Sequence, residues 1–335
     1  MNYTIKVAII LLLLGSCSEN NHSVQKKRFV VGVSIDTKGS ERWQKDKMFL
    51  IEKLHERGAE IVVDEPQGDD HLQLEQVNEM IAKGIHILII VPVNSRTATV
   101  IVENAHRHNV KVIAYDRLIQ YAHVDIHVSF DNEKVGELQA LYLLREVPKG
   151  RYAIIGGAIH DNNSYHLKKG QMKILKPLAD KGEIDIVFDD WAQSWTSEEG
   201  KRLCELSLSL SPSIDAIVAP NDDIAEGVLS ALATHDLIGK VAVSGQDATL
   251  KACKRVLNGT QTMTVYKPIK NLAEVAAEVA YKLHFQEPIY EINAQIHNGL
   301  IEVPSILLEP IGVDESNIYQ TVVYDGFITP SELEN

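Results

Sequence analysis

The sequence has little cysteine and no long hydrophobic run, and each shortage excludes a class of protein. Its 335 residues include three cysteines, too few for the disulfide framework that holds small secreted domains together. The longest apolar run is residues 7–14, which as a helix would rise about 12 Å against the roughly 30 Å core of a bilayer. A run this short does not span a membrane.

Positive charge is also scarce. The chain carries 33 Lys and Arg against 46 Asp and Glu, so its formal net charge is −13. An acidic surface repels phosphate backbones and anionic lipid head groups, and we therefore predict no nucleic-acid partner. With 45% hydrophobic and 24% charged residues, the rest of the composition is that of a globular protein long enough for two domains.

The first seventeen residues have the pattern of an export signal. Lys6 precedes the apolar run, and Leu14-Gly15-Ser16-Cys17 follows it. These four residues resemble a bacterial lipobox, whose cysteine is lipidated and becomes the mature N-terminus, although a plain signal-peptidase site beside Cys17 is an alternative. We predict a lipoprotein signal peptide over 1–17, a polar tether over 18–27 and an extracytoplasmic, lipid-anchored protein, either periplasmic or on the cell surface.

From residue 28 onward, short apolar runs alternate with amphipathic segments of helical spacing. The pattern predicts strands at 28–35, 61–63, 85–91, 110–115, 152–155, 184–188, 214–219 and 241–243. Strands that alternate with helices indicate βαβ units and parallel sheets. Because the rhythm restarts after residue 125, we predict an α/β fold of two doubly wound lobes, with ligand sites at the carboxyl ends of their strands.

The usual signatures of catalysis and cofactor binding are missing. The sequence contains no phosphate-binding P-loop, no H-E-x-x-H and no G-x-S-x-G,. Gly156-Gly157 lacks the third glycine of a dinucleotide fingerprint, and His106 and His108 lie on different sides of a helix, a poor arrangement for one metal. We therefore predict a protein that is not an enzyme, with no cofactor and no metal site.

Polar and aromatic side chains cluster directly after the predicted strands. They include Asp36, Arg42, Trp43, Asp116, Arg117, Asp161, Asn163, Trp191, Trp195, Asn221, Gln246, Asp247 and Lys267. A monosaccharide offers an apolar C–H face that packs on indole and hydroxyls that both donate and accept hydrogen bonds. Asp and Asn could instead be helix caps, but capping does not explain the arginines, Trp195 or Lys267. The set predicts a polar ligand site.

The remaining cysteines, Cys204 and Cys253, both fall in helix-like stretches. A disulfide between them is possible in an exported protein, because the extracytoplasmic environment is oxidising. Buried free thiols are the favoured interpretation, since sequence does not supply the geometry that a disulfide needs.

Several longer stretches carry a family resemblance. They are residues 41–46 (ERWQKD), 115–117 (YDR), 129–140 (SFDNEKVGELQA), 170–173 (GQMK), 244–248 (SGQDA) and 259–268 (GTQTMTVYKP). On these residues the chain resembles the bacterial D-xylose-binding proteins, type I periplasmic sugar-binding proteins of ABC transport systems, over nearly its whole mature length. The resemblance implies two lobes joined by three hinge strands. One lobe would comprise 28–129 with 268–303, and the other 130–267 with 304–333.

The same resemblance implies which residues bind sugar. Trp43 and Trp195 would flank the ring of D-xylose or a related aldose. The hydroxyls would be bound by Arg42, Asp116 and Arg117 of the first lobe, by Asp161, Asn163, Asn221 and Asp247 of the second, and by Lys267 of the hinge, with Asp36 a weaker candidate. The closed protein would deliver its sugar to the membrane subunits of an ABC permease. Docking on a membrane histidine kinase or chemoreceptor is the alternative.

Overall fold

The computed structural model describes residues 28–36 and 41–334. The predicted signal peptide, Cys17 and the tether therefore lie outside the described residues. The first half of the described chain alternates strands and helices in this order: β1 Val30–Ser34, α1 Glu41–Glu56, β2 Glu60–Asp64, α2 Asp70–Ala82, β3 Ile87–Ile90, α3 Thr99–Arg107, β4 Lys111–Tyr115 and β5 Ile126–Phe130.

The second half continues the alternation and then adds shorter elements. Its order is α4 Asn132–Glu146, β6 Gly150–Ala158, α5 Asn162–Asp180, β7 Ile184–Ala192, α6 Ser197–Leu210, β8 Ala216–Val218, α7 Asp222–Thr234, β9 Ala242–Val243, α8 Leu250–Leu257, β10 Thr264–Tyr266, α9 Ile269–Phe285, β11 Ala294–His297, β12 Glu302–Leu308, β13 Ile311–Val313, a π-helix Tyr319–Val323 and α10 Pro330–Glu334.

The first lobe is built on a seven-stranded sheet of order β11-β12-β5-β4-β3-β1-β2. Its strands pair in parallel except β11, which runs antiparallel to β12. Ile87 and Ile89 of β3 pack with α1 and α9 on one face, and Leu88 and Ile90 pack with α2 and α3 on the other. Burial on both faces explains why this strand is a continuous apolar run in the sequence.

The second lobe is built on a four-stranded parallel sheet of order β7-β6-β8-β9. Strand β7 extends to Ala192, four residues beyond the predicted end at Phe188. The parallel sheets in both lobes confirm the predicted α/β fold. Cys204 and Cys253 are buried free thiols, as favoured from the sequence.

The chain passes between the lobes three times. It leaves the first sheet after β5, returns after β10 and crosses again between β12 and β13, and β10 and β13 pair antiparallel in the second lobe. The family resemblance placed the third crossing near Val303. That position is wrong, because β12 pairs in parallel with β5 up to Leu308 in the first sheet. Strand β12 contains Pro304 and polar residues, so the apolar pattern did not reveal it, and the position near Val303 depended on the resemblance alone.

Over the described ranges, no helix combines the length and the apolar composition that crossing a membrane requires.

Candidate functional site

All ten residues that the sequence singles out for ligand binding lie around one cleft between the lobes. They are Arg42, Trp43, Asp116, Arg117, Asp161, Asn163, Trp195, Asn221, Asp247 and Lys267. The cavity measures about 430 Å³, within the range of about 300–1,000 Å³ that small-molecule sites occupy. It lies at the carboxyl ends of strands from both sheets, where ligands of doubly wound folds bind.

Arg42 joins the two lobes at the centre of the cleft. It lies in the first turn of α1 and is 7% exposed. Its Nε donates to Asp46 Oδ2 at 3.0 Å, its Nη2 donates to Asp116, and its Nη1 donates to Asp247 Oδ1 of the second lobe at 3.3 Å. Burial of the guanidinium therefore depends on three carboxylates, which together hold its pKa well above its usual value despite the cost of desolvation,.

Asp116 follows β4 in a left-handed backbone conformation with φ of +61°. Its carbonyl oxygen accepts hydrogen bonds from His127 Nε2 at 3.1 Å and from Ser129 Oγ at 2.7 Å. Burial alone would raise the pKa of its carboxyl, but the positive charges of Arg42 and Lys267 outweigh burial and hold that pKa well below its usual value. A non-glycine residue in this conformation is uncommon, and such positions are often functional.

Asp161 connects the two lobes on the other side of the cleft. It caps α5, where its Oδ1 accepts from the backbone N–H of Asn163 at 2.9 Å. Its Oδ2 accepts from Arg117 Nε of the first lobe at 2.7 Å and from the indole Nε1 of Trp195 at 3.1 Å. Asn163 in turn donates from Nδ2 to Asp116 Oδ1 at 2.9 Å. One carboxylate thus fixes a helix, an arginine and a tryptophan.

Asn221 and Lys267 complete the polar lining. Asn221 caps α7 through its Oδ1, which accepts from the backbone N–H of Ile224 at 2.9 Å. Lys267 follows β10 at a crossing between the lobes and is 2% exposed. Its Nζ lies 3.2 Å from Asp247 Oδ1 and 3.9 Å from Asp116 Oδ2. The hinge therefore contributes a buried cation to carboxylates of both lobes.

Two of the three tryptophans line the cleft, and the third does not. The Arg42 and Arg117 guanidinium carbons lie 4.3 and 5.3 Å from the ring centroid of Trp43. Trp195 packs over Gly157, where an added Cβ would lie 2.2 Å from the indole ring. Because β7 is longer than predicted, Trp191 lies within it and packs against Tyr165, with ring centroids 4.8 Å apart.

The cleft also contains residues to which the sequence analysis gave no role. They are Gln67, Gly68, Asn132, Leu167, Ser194, Thr196 and Asp223, and the weaker candidate Asp36 lies beside them. Asn132 follows β5, which the apolar pattern did not reveal as a strand. Asp223 lies two residues after the predicted Asn221, and Gln246, which the sequence places after a strand, also lines the cleft. Most cleft residues can thus be identified in the sequence by their position directly after a strand, provided that the strand itself is recognised.

The described part of the chain contains no group of three or more His, Cys, Asp or Glu side chains arranged to hold a metal ion. The cleft offers instead carboxylates, amides and cations that already pair with one another, together with two indoles. Groups of these kinds are chemically suited to a neutral, hydroxyl-rich molecule, which they can hydrogen-bond and pack against on its apolar face.

Comparison with known proteins gives one family and a consistent set of relatives. Residues 31–287 match the family model described as a periplasmic binding protein domain. The chain is 46% identical to the D-xylose-binding periplasmic protein of Haemophilus influenzae, over 97% of this chain and 98% of that one. It is 44% identical to the protein of the same description from Escherichia coli, again over 97% and 98%.

A solved structure shares the architecture. The carbohydrate transporter solute binding protein of Chloroflexus aurantiacus, in complex with D-glucose, superposes with a TM-score of 0.84. It is 29% identical in sequence, and the match covers 91% of this chain and 98% of that one. The arrangement of lobes and cleft is therefore shared along nearly the full length of both chains.

Proposed function

Because the chain belongs to the periplasmic binding protein domain family, we propose that it binds a monosaccharide outside the cytoplasm, with D-xylose as its sugar, and delivers it to an ABC permease. It is a binding protein and not an enzyme. The observation that carries the proposal is the convergence of ten polar and aromatic side chains, from both lobes and the hinge, on one cleft.

The charges of the cleft favour an uncharged ligand. Three cations, Arg42, Arg117 and Lys267, form ion pairs with three carboxylates, Asp116, Asp161 and Asp247. Asp36 and Asp223 line the same cleft, so a sugar acid or sugar phosphate would add negative charge where the lining cations are already paired, which is costly in a buried site. A neutral aldose adds hydroxyls that donate to the carboxylates and accept from the cations, and charge-assisted bonds of this kind are the strong ones.

Binding by closure follows from the contacts that span the cleft. Arg42 with Asp247, Arg117 with Asp161, and Asn163 with Asp116 each join one lobe to the other. Opening the hinge separates these partners, so each lobe alone holds half of a site. We propose that the sugar bridges the two halves and that its greater affinity for the closed form makes that form dominant.

The membrane partner and the anchor belong to the same proposal. The permease would recognise the lobe surfaces of the closed form. In the alternative, a sensor kinase or chemoreceptor would bind the same sugar-closed form. Co-purification with permease subunits or with a kinase ectodomain distinguishes the two partners.

We further propose that lipidated Cys17 holds the protein at the membrane and that the lobes divide at the three crossings.

A calorimetric panel of xylose, arabinose, ribose, glucose and galactose tests the proposed ligand. We expect xylose to bind most tightly, with a dissociation constant in the micromolar range, about −8 kcal/mol. Binding of none of these sugars would contradict the proposal, and tighter binding of another aldose would correct the identity of the sugar.

A matched pair of variants tests the cleft itself. Asp247 and Asp236 both have left-handed backbone conformations, with φ of +95° and +57°, so asparagine suits either position. Asp247→Asn removes the carboxylate that faces Arg42 and Lys267, and we expect xylose affinity to fall by about tenfold or more. Asp236→Asn, in an exposed turn, is expected to bind as the wild type does. Equal affinity of the two variants would contradict the assignment of Asp247.

A further inference from the structure

One polar side chain of the cleft, that of Gln246, has a buried oxygen without a hydrogen-bond partner among the residues described at 28–36 and 41–334. The charged groups pair with one another, as in the contacts of Arg42 with Asp116 and of Arg117 with Asp161. Gln246 also lines the cleft and is 5% exposed, but its buried Oε1 accepts no hydrogen bond. Among the cleft-lining residues that the structure describes, it is the one with a buried side-chain nitrogen or oxygen left unpaired.

The backbone around Gln246 is fixed by hydrogen bonds. The Gln246 carbonyl accepts from the Asp222 N–H at 3.0 Å, and the Gly245 carbonyl accepts from Gln139 Nε2 at 3.1 Å. On the other side, the Asp247 N–H donates to the Val265 carbonyl at 2.8 Å. Hydrogen bonds on both sides therefore fix the backbone that carries Gln246, so that its side chain starts from a fixed position beside the cleft.

A buried acceptor without a donor costs free energy, and folded proteins pair nearly all such atoms. A side chain at this position without a polar atom would avoid that cost. The unpaired oxygen lies in the same cavity as the paired ligand-binding groups. A donor supplied by the ligand would satisfy it.

We propose that Gln246 Oε1 accepts a hydrogen bond from one hydroxyl of the bound sugar, which makes Gln246 a specificity-determining residue. This inference rests on the proposed function and deepens it. A carbonyl oxygen can only accept, so Gln246 selects a sugar that carries a hydroxyl at this point and rejects one that is deoxygenated or fluorinated there. A carboxylate or phosphate oxygen would meet this acceptor and the nearby Asp223 without an attractive partner.

The experiment is a double-mutant cycle in which residue 246 of the protein and one hydroxyl of the sugar are changed separately and together. Wild type and Gln246→Met are titrated by calorimetry with D-xylose and with the series of analogues that each lack one hydroxyl or carry fluorine in its place. Methionine has nearly the length and shape of glutamine but no acceptor. Gln76→Met is the matched control, because Gln76 also has a buried unpaired Oε1 but lies on α2, away from the cleft.

For one analogue we expect wild type to lose about tenfold in affinity relative to xylose, whereas Gln246→Met loses less than about threefold. For the other analogues, wild type and variant should lose affinity in parallel, and Gln76→Met should match wild type throughout. A uniform loss in Gln246→Met across the whole series would overturn the inference, because Gln246 would then only shape the cleft.

Two further results separate this inference from the proposed function. If wild type binds neither xylose nor the other aldoses of the panel, the proposed function fails. If wild type binds xylose, a crystal structure of that complex must place a sugar hydroxyl within about 3.5 Å of Gln246 Oε1. A complex without such a contact overturns the role of Gln246 and leaves the function intact, even if Gln246→Met does not fold.

Discussion

Single residues in this cleft serve the fold and the ligand site together. Asp161 caps α5 and also accepts hydrogen bonds from Arg117 and Trp195. Asn221 caps α7 and lines the same cavity. Capping a helix and lining the cleft are therefore combined in one residue, because the helix N-termini lie at the carboxyl ends of the strands, where the cleft forms.

Trp195 provides a prediction at this scale. Trp195→Ala removes an indole that lines the cleft and donates to Asp161. We expect the binding free energy of xylose to weaken by about 1–3 kcal/mol, the value of a lost apolar and aromatic contact. Trp191→Ala is the control, because Trp191 packs on Tyr165 away from the cleft. Equal titration curves for wild type and Trp195→Ala would contradict the role of this indole.

His127 provides a second prediction at the residue scale, which concerns the pH dependence of stability. Burial lowers the pKa of His127 to about 4. Among the described residues its Nδ1 has no partner, while Nε2 contacts the Asp116 carbonyl. Between pH 6.5 and 4 the unfolded chain therefore binds a proton that the folded chain does not, so the free energy of unfolding falls as the pH falls.

His127→Gln tests this dependence, since glutamine can offer an N–H toward the Asp116 carbonyl without titrating. Urea unfolding at pH 7 and pH 4.5 should show that wild type loses about 2 kcal/mol more stability on acidification than the variant does. The other histidines contribute equally to both proteins. An equal loss of stability in wild type and variant would show that titration of His127 does not contribute to the pH dependence.

At the scale of elements, small residues decide how closely helices approach. Helices α4 and α5 touch at Gly136 and Gly170, where an added Cβ would lie 1.9 Å from the carbonyl oxygens of Leu167 and Glu133 respectively. Neither backbone can move without shifting its helix. Because α5 begins at Asn162, directly before Asn163, this close packing also sets the position of a cleft residue.

Gly170→Ala is accordingly expected to destabilise the protein, although alanine favours helices in isolation. Overpacking against a rigid backbone costs about 1–3 kcal/mol, which denaturant unfolding measures directly. Lys176→Ala, at an exposed position of the same helix, should change stability by less than about 0.5 kcal/mol. A stabilised Gly170→Ala protein would show that the two helices can separate at little cost.

At the scale of the whole molecule, the three crossings connect two similar lobes so that both contribute residues to one cleft. Lys267 lies at the second crossing and forms ion pairs with Asp116 and Asp247. The hinge is therefore in direct contact with carboxylates from both lobes. A change in either lobe's position relative to the hinge alters these ion pairs, which couples the state of the cleft to the angle between the lobes.

The proposed anchor is a property of the full chain and is tested in cells. Cys17→Ser removes the thiol that lipidation requires, and we expect the protein to move from the membrane pellet to the soluble fraction. Ser16→Ala keeps a small residue before Cys17 and should remain in the pellet. Retention of Cys17→Ser in the membrane fraction would contradict lipid anchoring at this residue.

The local pattern of the sequence predicted the alternation of strands and helices and a set of polar and aromatic residues after the strands, because strands buried on both faces leave continuous apolar runs. The family resemblance then selected the ten candidate residues from that set. The tertiary structure decided that Trp191 lies outside the cleft, that the third crossing comes after Leu308 and which charged groups pair across the lobes. Trp191 and Trp195 both follow the predicted end of β7 at Phe188, and the observed extension of β7 to Ala192 places Trp191 within the strand. The pairing of Arg42 with Asp247 joins residues of different lobes, and no local pattern encodes a contact that depends on how two lobes close.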